Sequence, residues 1–289
     1  MSDVKTRVKD TVGQKWQARA RALSRLRWVA KYRLMRRAGE RLRDRPARNL
    51  AYVLWDPELE SHTYDVANLD ELAAFLATEF GIDRERALGY LREPDTDSVF
   101  NEGWHQRMRF RFDVKRRRVQ LANRLIWWGL VRSLRPRFVV ECGMFNGVGS
   151  LVLLRALERN REEGSPGELL SIDSDVTMGW AVPPELNGHW SKVQGFTSDV
   201  LEDSIEGREV DLLIHDTPHT YENQVTEFSA ALKHPAELMV LIDSSGGRTS
   251  ALEEQCAEHG GRYRYFREQP KDHFYPGNGS GIGIFDRSA

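Results

Sequence analysis

Apolar residues recur along this chain at two different periods, and the change of period divides it. Near the start, Trp16, Ala20, Leu23, Leu26, Ala30 and Leu34 step by three or four, which predicts an amphipathic helix with arginines over its other faces. Residues 50–66 read as an extended connector containing Pro57. Leu69, Leu72, Phe75 and Leu76 predict a helix stopped at Gly81. Asp83 is placed to cap a second one, carrying Ala87, Leu88 and Leu91 and ended by Pro94. After an arginine-rich stretch with Arg107, Arg109 and Arg111, the positions Leu121, Leu125, Trp128 and Val131 predict a third helix within residues 119–134, ended by Pro136.

From residue 137 the rhythm becomes that of alternating strands and helices. Apolar runs stand at 138–142, 169–172, 193–196, 210–214 and 238–242, with helical patterns at 150–158 and 220–232 between them. Short continuous apolar strands alternating with helices predict a parallel sheet covered on both faces. Two further runs, 263–266 and 281–285, have no helix between them and predict a terminal antiparallel pair. The fold class expected is therefore α/β: a doubly wound, mostly parallel seven-stranded sheet with an N-terminal helical extension. Its parts are a basic arm (1–49), a helical accessory or lid region (50–118) and the sheet domain (119–289).

Composition narrows the function classes. The chain has 289 residues, 40% hydrophobic, enough for one substantial core and a smaller accessory unit. No run approaches the roughly 18 apolar residues of a membrane span, and the first residues are charged rather than apolar, so neither a span nor a secretory leader is expected. Two cysteines, Cys142 and Cys256, exclude a disulfide scaffold or a cysteine-built zinc site and fit a reducing cytoplasm. The net charge of −1 hides an asymmetry: residues 1–49 hold 16 Lys/Arg against 4 Asp/Glu. Three readings of this arm stand open: a solvated or partner-docking helix, a helix lying on the anionic inner surface of a membrane, and a nucleic-acid contact. Its apolar stripe also allows a homo-oligomer.

The chemistry is concentrated at the strand ends. The first strand runs into Glu141-Cys142-Gly143-Met144-Phe145-Asn146-Gly147-Val148-Gly149-Ser150 and then a helix. Glycines at such a turn let the backbone approach a ligand and aim a helix N-terminus at it. The spacing is GxxxGxG, whereas nicotinamide enzymes need GxGxxG. Glu141 would repel a pyrophosphate but accept from an ammonium, so the turn favours a nucleoside bearing a positively charged amino-acid tail. Asp173, at the end of the second strand, is placed either to bind ribose hydroxyls or to cap the next helix. Ser198 and Asp199, after the third strand, lie where an adenine edge would rest.

This acid–glycine pattern with Asp173 downstream resembles the class I S-adenosylmethionine-dependent methyltransferases. The resemblance spans about residues 120–286. It implies a Rossmann-like methyltransferase fold, with Glu141, Gly143, Asn146, Gly147 and Ser150 around the methionine moiety and turn of S-adenosyl-L-methionine and Asp173 at its ribose. Further on, Ile214-His215-Asp216-Thr217-Pro218-His219-Thr220-Tyr221-Glu222 resembles an element of the subgroup containing the macrolide-sugar O-methyltransferases and the cephalosporin-hydroxylase-like proteins. Asp216 and His219 match that element's Asp and His, while Thr217 and Pro218 depart from it. The resemblance implies a metal-binding carboxylate at Asp243, although Ser244 follows where relatives carry Asn or a second acid.

Asp216 and Asp243 would then hold Mg²⁺ or another divalent cation, and His219 would be the general base, with Asp216 beside it. Otherwise His219 caps the helix and the aspartates bind only water. The activity implied is methyl transfer to a hydroxyl of a small-molecule or glycan acceptor: a sugar, a glycolipid or a natural product. An RNA methyltransferase using the basic arm, and a SAM-fold assembly protein without catalysis, are the alternatives.

Overall fold

A computed structural model of the protein describes residues 66–101, 121, 123–145, 147–175, 179–270 and 277–287. The basic arm lies outside these residues, as do residues 50–65 of the connector, Arg107, Arg109, Arg111 and Asn146.

Helix α1 (Leu69–Phe80) ends at Gly81, which takes the left-handed conformation (φ 62°) and returns its N–H to the Ala77 carbonyl. Helix α2 (Arg84–Thr96) begins at Asp83, whose carboxylate accepts from the backbone N–H groups of Glu85 and Arg86. It runs two residues beyond Pro94. A proline in the last turn forfeits only one backbone bond, and the Asn101 side-chain amide donates to the Pro94 carbonyl at 2.8 Å. Helix α3 (Arg124–Leu134) lays Ile126, Trp127, Leu130 and Val131 into the core.

The sheet follows: β1 (Phe138–Cys142), α4 (Val148–Glu162), β2 (Glu168–Asp173), a 3₁₀ turn (Pro184–His189), β3 (Trp190–Gln194), α5 (Thr197–Ile205), β4 (Val210–His215), α6 (Tyr221–Leu232), β5 (Pro235–Asp243), α7 (Ala251–Glu258), β6 (Arg262–Arg267) and β7 (Gly279–Asp286). The seven strands lie in the order β3-β2-β1-β4-β5-β7-β6. All neighbours are parallel except β7, which is antiparallel to both β5 and β6. The expected architecture is thus the observed one, with two helices added, α5 and α7, and with the third strand earlier than its apolar run suggested. β3 is an edge strand, and edges need no continuous apolar run. Phe196, read as part of that strand, caps α5 and is exposed.

Side chains alternate across a strand, so each strand feeds both faces. Val139, Leu212, Ile214 and Val240 pack with α1 to α4 on one face. Val140, Leu213 and Leu241 pack with Leu201, Phe228 and Leu252 of α5, α6 and α7 on the other. No helix among the described residues is long and apolar enough to cross a membrane.

The N-terminal helices are fastened to the sheet domain by a buried charge. Arg132 is fully buried; it donates to Glu93 at 2.8 and 3.0 Å, and also to Glu163 and Asn160. Removing one member of such a network strands the others. Arg132→Ala is therefore expected to lower stability by about 3–5 kcal/mol, read as a lower denaturation midpoint in urea. A loss within 1 kcal/mol would show that the network is solvated and weak.

Candidate active site

The strand order reverses beside β1, with β2 on one side and β4 on the other, so a crevice opens at the carboxyl edge between them. The turn after β1 fills the base of that crevice. Gly143 (φ 89°) donates its N–H to the Ile172 carbonyl at 2.8 Å, and a Cβ there would stand 2.5 Å from the Asp216 carbonyl oxygen. Gly147 (φ 86°) is equally constrained, since its Cβ would stand 2.6 Å from the Gly179 Cα. Both positions therefore require glycine on conformation and on space. Phe145 between them holds a positive φ of 43° with its ring exposed.

Glu141 points to the face that carries α3 and α4 and is 1% exposed. The hydroxyls of Ser150 and Ser171 each donate to its Oε2 at 2.6 Å. Burial pushes this carboxyl up to about 7, against the two serine bonds and the Arg124 charge, which favour its anion. The folded chain thus holds this proton more tightly than the unfolded chain does. The resulting stability is complete below pH 4.5 and is lost as pH rises through 7. Relative to Glu141→Gln, the unsubstituted protein is expected to lose roughly 3 kcal/mol across that range, measured by chemical denaturation at several pH values. Parallel profiles for the two proteins would contradict this.

Asp173 ends β2 at the same edge. Its Oδ2 accepts from the Met144 and Phe145 N–H groups, both at 3.0 Å, and its Oδ1 from the Asp175 N–H at 3.0 Å. The carboxylate therefore organises the glycine turn itself. Ser198 and Asp199 lie in the first turn of α5, exposed and bonded to each other at 2.9 Å.

The end of β4 is tied to the glycine turn, because the Asp216 N–H donates to the Cys142 carbonyl at 2.8 Å. The Asp216 carboxylate accepts from the Ser244 hydroxyl at 2.8 Å, and one oxygen stands 4.0 Å from His219 Nε2. Burial raises the Asp216 carboxyl above its ordinary value, with Arg124 the largest opposing influence. Burial and the neighbouring His215 lower the His219 imidazole, Asp216 opposing. Ser244, which stands where an acid or amide was expected, is a hydrogen-bond donor to this carboxylate.

Residues 140–242 match the model of a methyltransferase-domain family. Over that stretch the chain is similar to a methyltransferase domain. The stretch runs from β1 to β5 and so contains the glycine turn, Asp173, Asp216 and His219. No curated protein matches the chain. Among solved structures, an O-methyltransferase from Bacillus cereus in complex with SAH is 15% identical, over 76% of this chain and 91% of that one, with a TM-score of 0.42. The O-methyltransferase TomG from Streptomyces achromogenes, involved in tomaymycin synthesis and crystallised with SAM, is 14% identical over 86% of this chain and 100% of that one, TM-score 0.44. A methyltransferase from Geobacter sulfurreducens is 16% identical over 64% and 88%, TM-score 0.45.

At the carboxyl edge of the sheet, β4 and β5 pair in a register that sets His215 beside Asp243. Both side chains are buried. The Asp243 carboxylate accepts from the Gln224 side chain and the Ser245 N–H at 2.8 Å and from the Ser245 hydroxyl at 2.7 Å. His215, Gln224 and Glu227 were not singled out from the sequence. A signal was available, since Gln224 and Glu227 fall on the apolar stripe of α6 with Phe228 and Ala231, where a polar residue calls for a buried partner. Among the described residues, His215, His219 and Asp243 each bring a ligand atom within 4.8 Å of the others; Asp216 stands beside this group, against His219.

Proposed function

We propose that the sheet domain binds S-adenosylmethionine at the glycine turn and transfers its methyl group to a hydroxyl oxygen of a sugar, glycolipid or natural product. The observation that carries this reading is the His219–Asp216 pair, 4.0 Å apart, on the loop whose backbone also closes over Gly143. The cofactor supplies an electrophilic methyl on sulfonium, and the remaining work falls to the chain. Glu141 offers a carboxylate to the ammonium of the amino-acid tail, and Asp173 keeps one lone-pair site on Oδ1 for a ribose hydroxyl. Because Glu141 titrates near 7, cofactor affinity rises with pH as that carboxyl ionises.

An alcohol is a poor nucleophile until its proton leaves. The His219 imidazole, lowered by burial, is neutral at pH 7 and accepts that proton at Nε2, and Asp216 stabilises the imidazolium formed. S-adenosylmethionine bound there would supply the methyl to that oxygen as its carbon–sulfur bond breaks and the sulfonium charge is lost, with the acceptor's proton resting on His219. The test is incubation of the purified chain with methyl-labelled S-adenosylmethionine and a metabolite extract. Label recovered as an oxygen-linked methyl supports the reading; label on nitrogen or on RNA, or no transfer by a protein that binds the cofactor, overturns it.

A further inference from the structure

The polar cluster behind the edge of β4 and β5 contains an unanswered group. His215 is fully buried, and its Nδ1 lies 2.7 Å from Glu227 Oε2. Glu227, also fully buried, accepts from the Thr197 hydroxyl, from the Thr217 hydroxyl at 2.7 Å and from the Asn223 amide at 3.2 Å. With all these donors turned toward it, the carboxylate acts only as an acceptor, so His215 carries its proton on Nδ1 and its lone pair on Nε2. That Nε2 is buried and has no hydrogen-bond partner, and neither has His219 Nδ1. Orphan nitrogens in a folded core require an explanation. Asp243 contributes the third group: its three hydrogen bonds leave one of about four lone-pair sites on the carboxylate.

We propose that His215, His219 and Asp243 form a binding site for a divalent transition-metal cation of the zinc, cobalt or iron(II) class, with Glu227 as the positioning residue that orients His215. Two imidazoles and one carboxylate suit those ions, whereas Mg²⁺ prefers oxygen alone. A carboxylate bound to the far nitrogen of a ligating histidine is a common outer contact of such sites. The ligand atoms lie within 4.8 Å of one another, wider than the roughly 3.4 Å edge implied by metal–ligand bonds of about 2.0–2.1 Å. His219, half-buried on the loop before α6, can close that gap by turning, while His215 and Asp243 are fixed by their partners.

This site goes beyond the methyl-transfer reading and shares His219 with it, but its test stands apart, since cation binding is measured without cofactor or acceptor. With a cation bound, His219 is a ligand, and Asp216 becomes the proton acceptor nearest an acceptor hydroxyl.

The test uses the full chain, stripped with a chelator, dialysed and titrated with Co²⁺ or Zn²⁺ alone. One equivalent is expected to bind, with X-ray absorption at the metal edge showing two imidazole nitrogens and millimolar Mg²⁺ failing to displace it. His219→Ala should lose most of the affinity, and Glu227→Gln should weaken it by about 10–100-fold. No bound metal, a bound metal without imidazole in its shell, or displacement by Mg²⁺ overturns the proposal. The absorption measurement needs no variant, so it decides the matter even if substitutions in the cluster fail to fold. Cation binding without methyl transfer would remove only the proposed function, and methyl transfer without cation binding only this site.

Discussion

Replacing His219 by alanine is expected to lower kcat by roughly 10²–10⁴-fold while the heat of S-adenosylmethionine binding is retained. The imidazole stands against Asp216 on the loop after β4, and in the proposed reaction it takes the proton of the acceptor hydroxyl. On that proposal its loss should affect the proton transfer and leave cofactor binding intact. The pH profile carries the sign. Burial and His215 disfavour the imidazolium, so the folded value lies below the ordinary 6.5. The neutral base persists as pH falls, and kcat declines only once pH drops through that lowered value. In His219→Ala this acid limb should vanish. Single-turnover rates across pH measure it, and a variant keeping both rate and limb would dismiss His219 as the base.

The second large effect belongs to Asp173. Its carboxylate holds the Met144 and Phe145 N–H groups at 3.0 Å each, so it sustains the turn at the point where Phe145 adopts a positive φ. Hydrogen bonds to a charged group contribute about 1.5–3 kcal/mol each. Asp173→Ala is thus expected to weaken cofactor binding by on the order of 10²-fold or more, with no heat detectable by calorimetry at ordinary concentrations. Asp173→Asn, which keeps one acceptor oxygen, should fall between. If Asp173→Ala binds as tightly as the unsubstituted chain, then neither turn support nor ribose contact lies at this residue.

Most of the sheet was legible because its inner strands are continuously apolar and its glycines stand where two backbones meet. Gly143 and Gly147 are examples, each with backbone within 3 Å of the Cβ it lacks. Helix α5 was illegible for the opposite reason. In TSDVLEDSI only Val200, Leu201 and Ile205 are apolar, and its first turn looks like a loop. β3 was displaced because an edge strand with polar alternate positions leaves no run to count. At the site, the sequence located the strand ends but not which side chains turn toward each other there. Asp216 and Asp243 are both terminal acids, yet the period of two along β5 sends Asp243 to the α6 side, beside His215, while Asp216 sits past the end of β4 against Ser244 and Arg124. Glu227 acts from twelve residues beyond His215, across a helix–sheet contact, which linear spacing does not encode.

The place of β7 has a consequence for how the chain reaches this state. That strand is threaded between β5 and β6, so a polypeptide complete only through residue 267 must display two unsatisfied ladders at once, one on each side of an unfilled slot. Such half-built edges invite pairing with a neighbour. Products shortened before Gly279 should therefore aggregate during synthesis instead of accumulating as a smaller folded protein, and supplying the missing strand in trans as a peptide offers a route to their rescue.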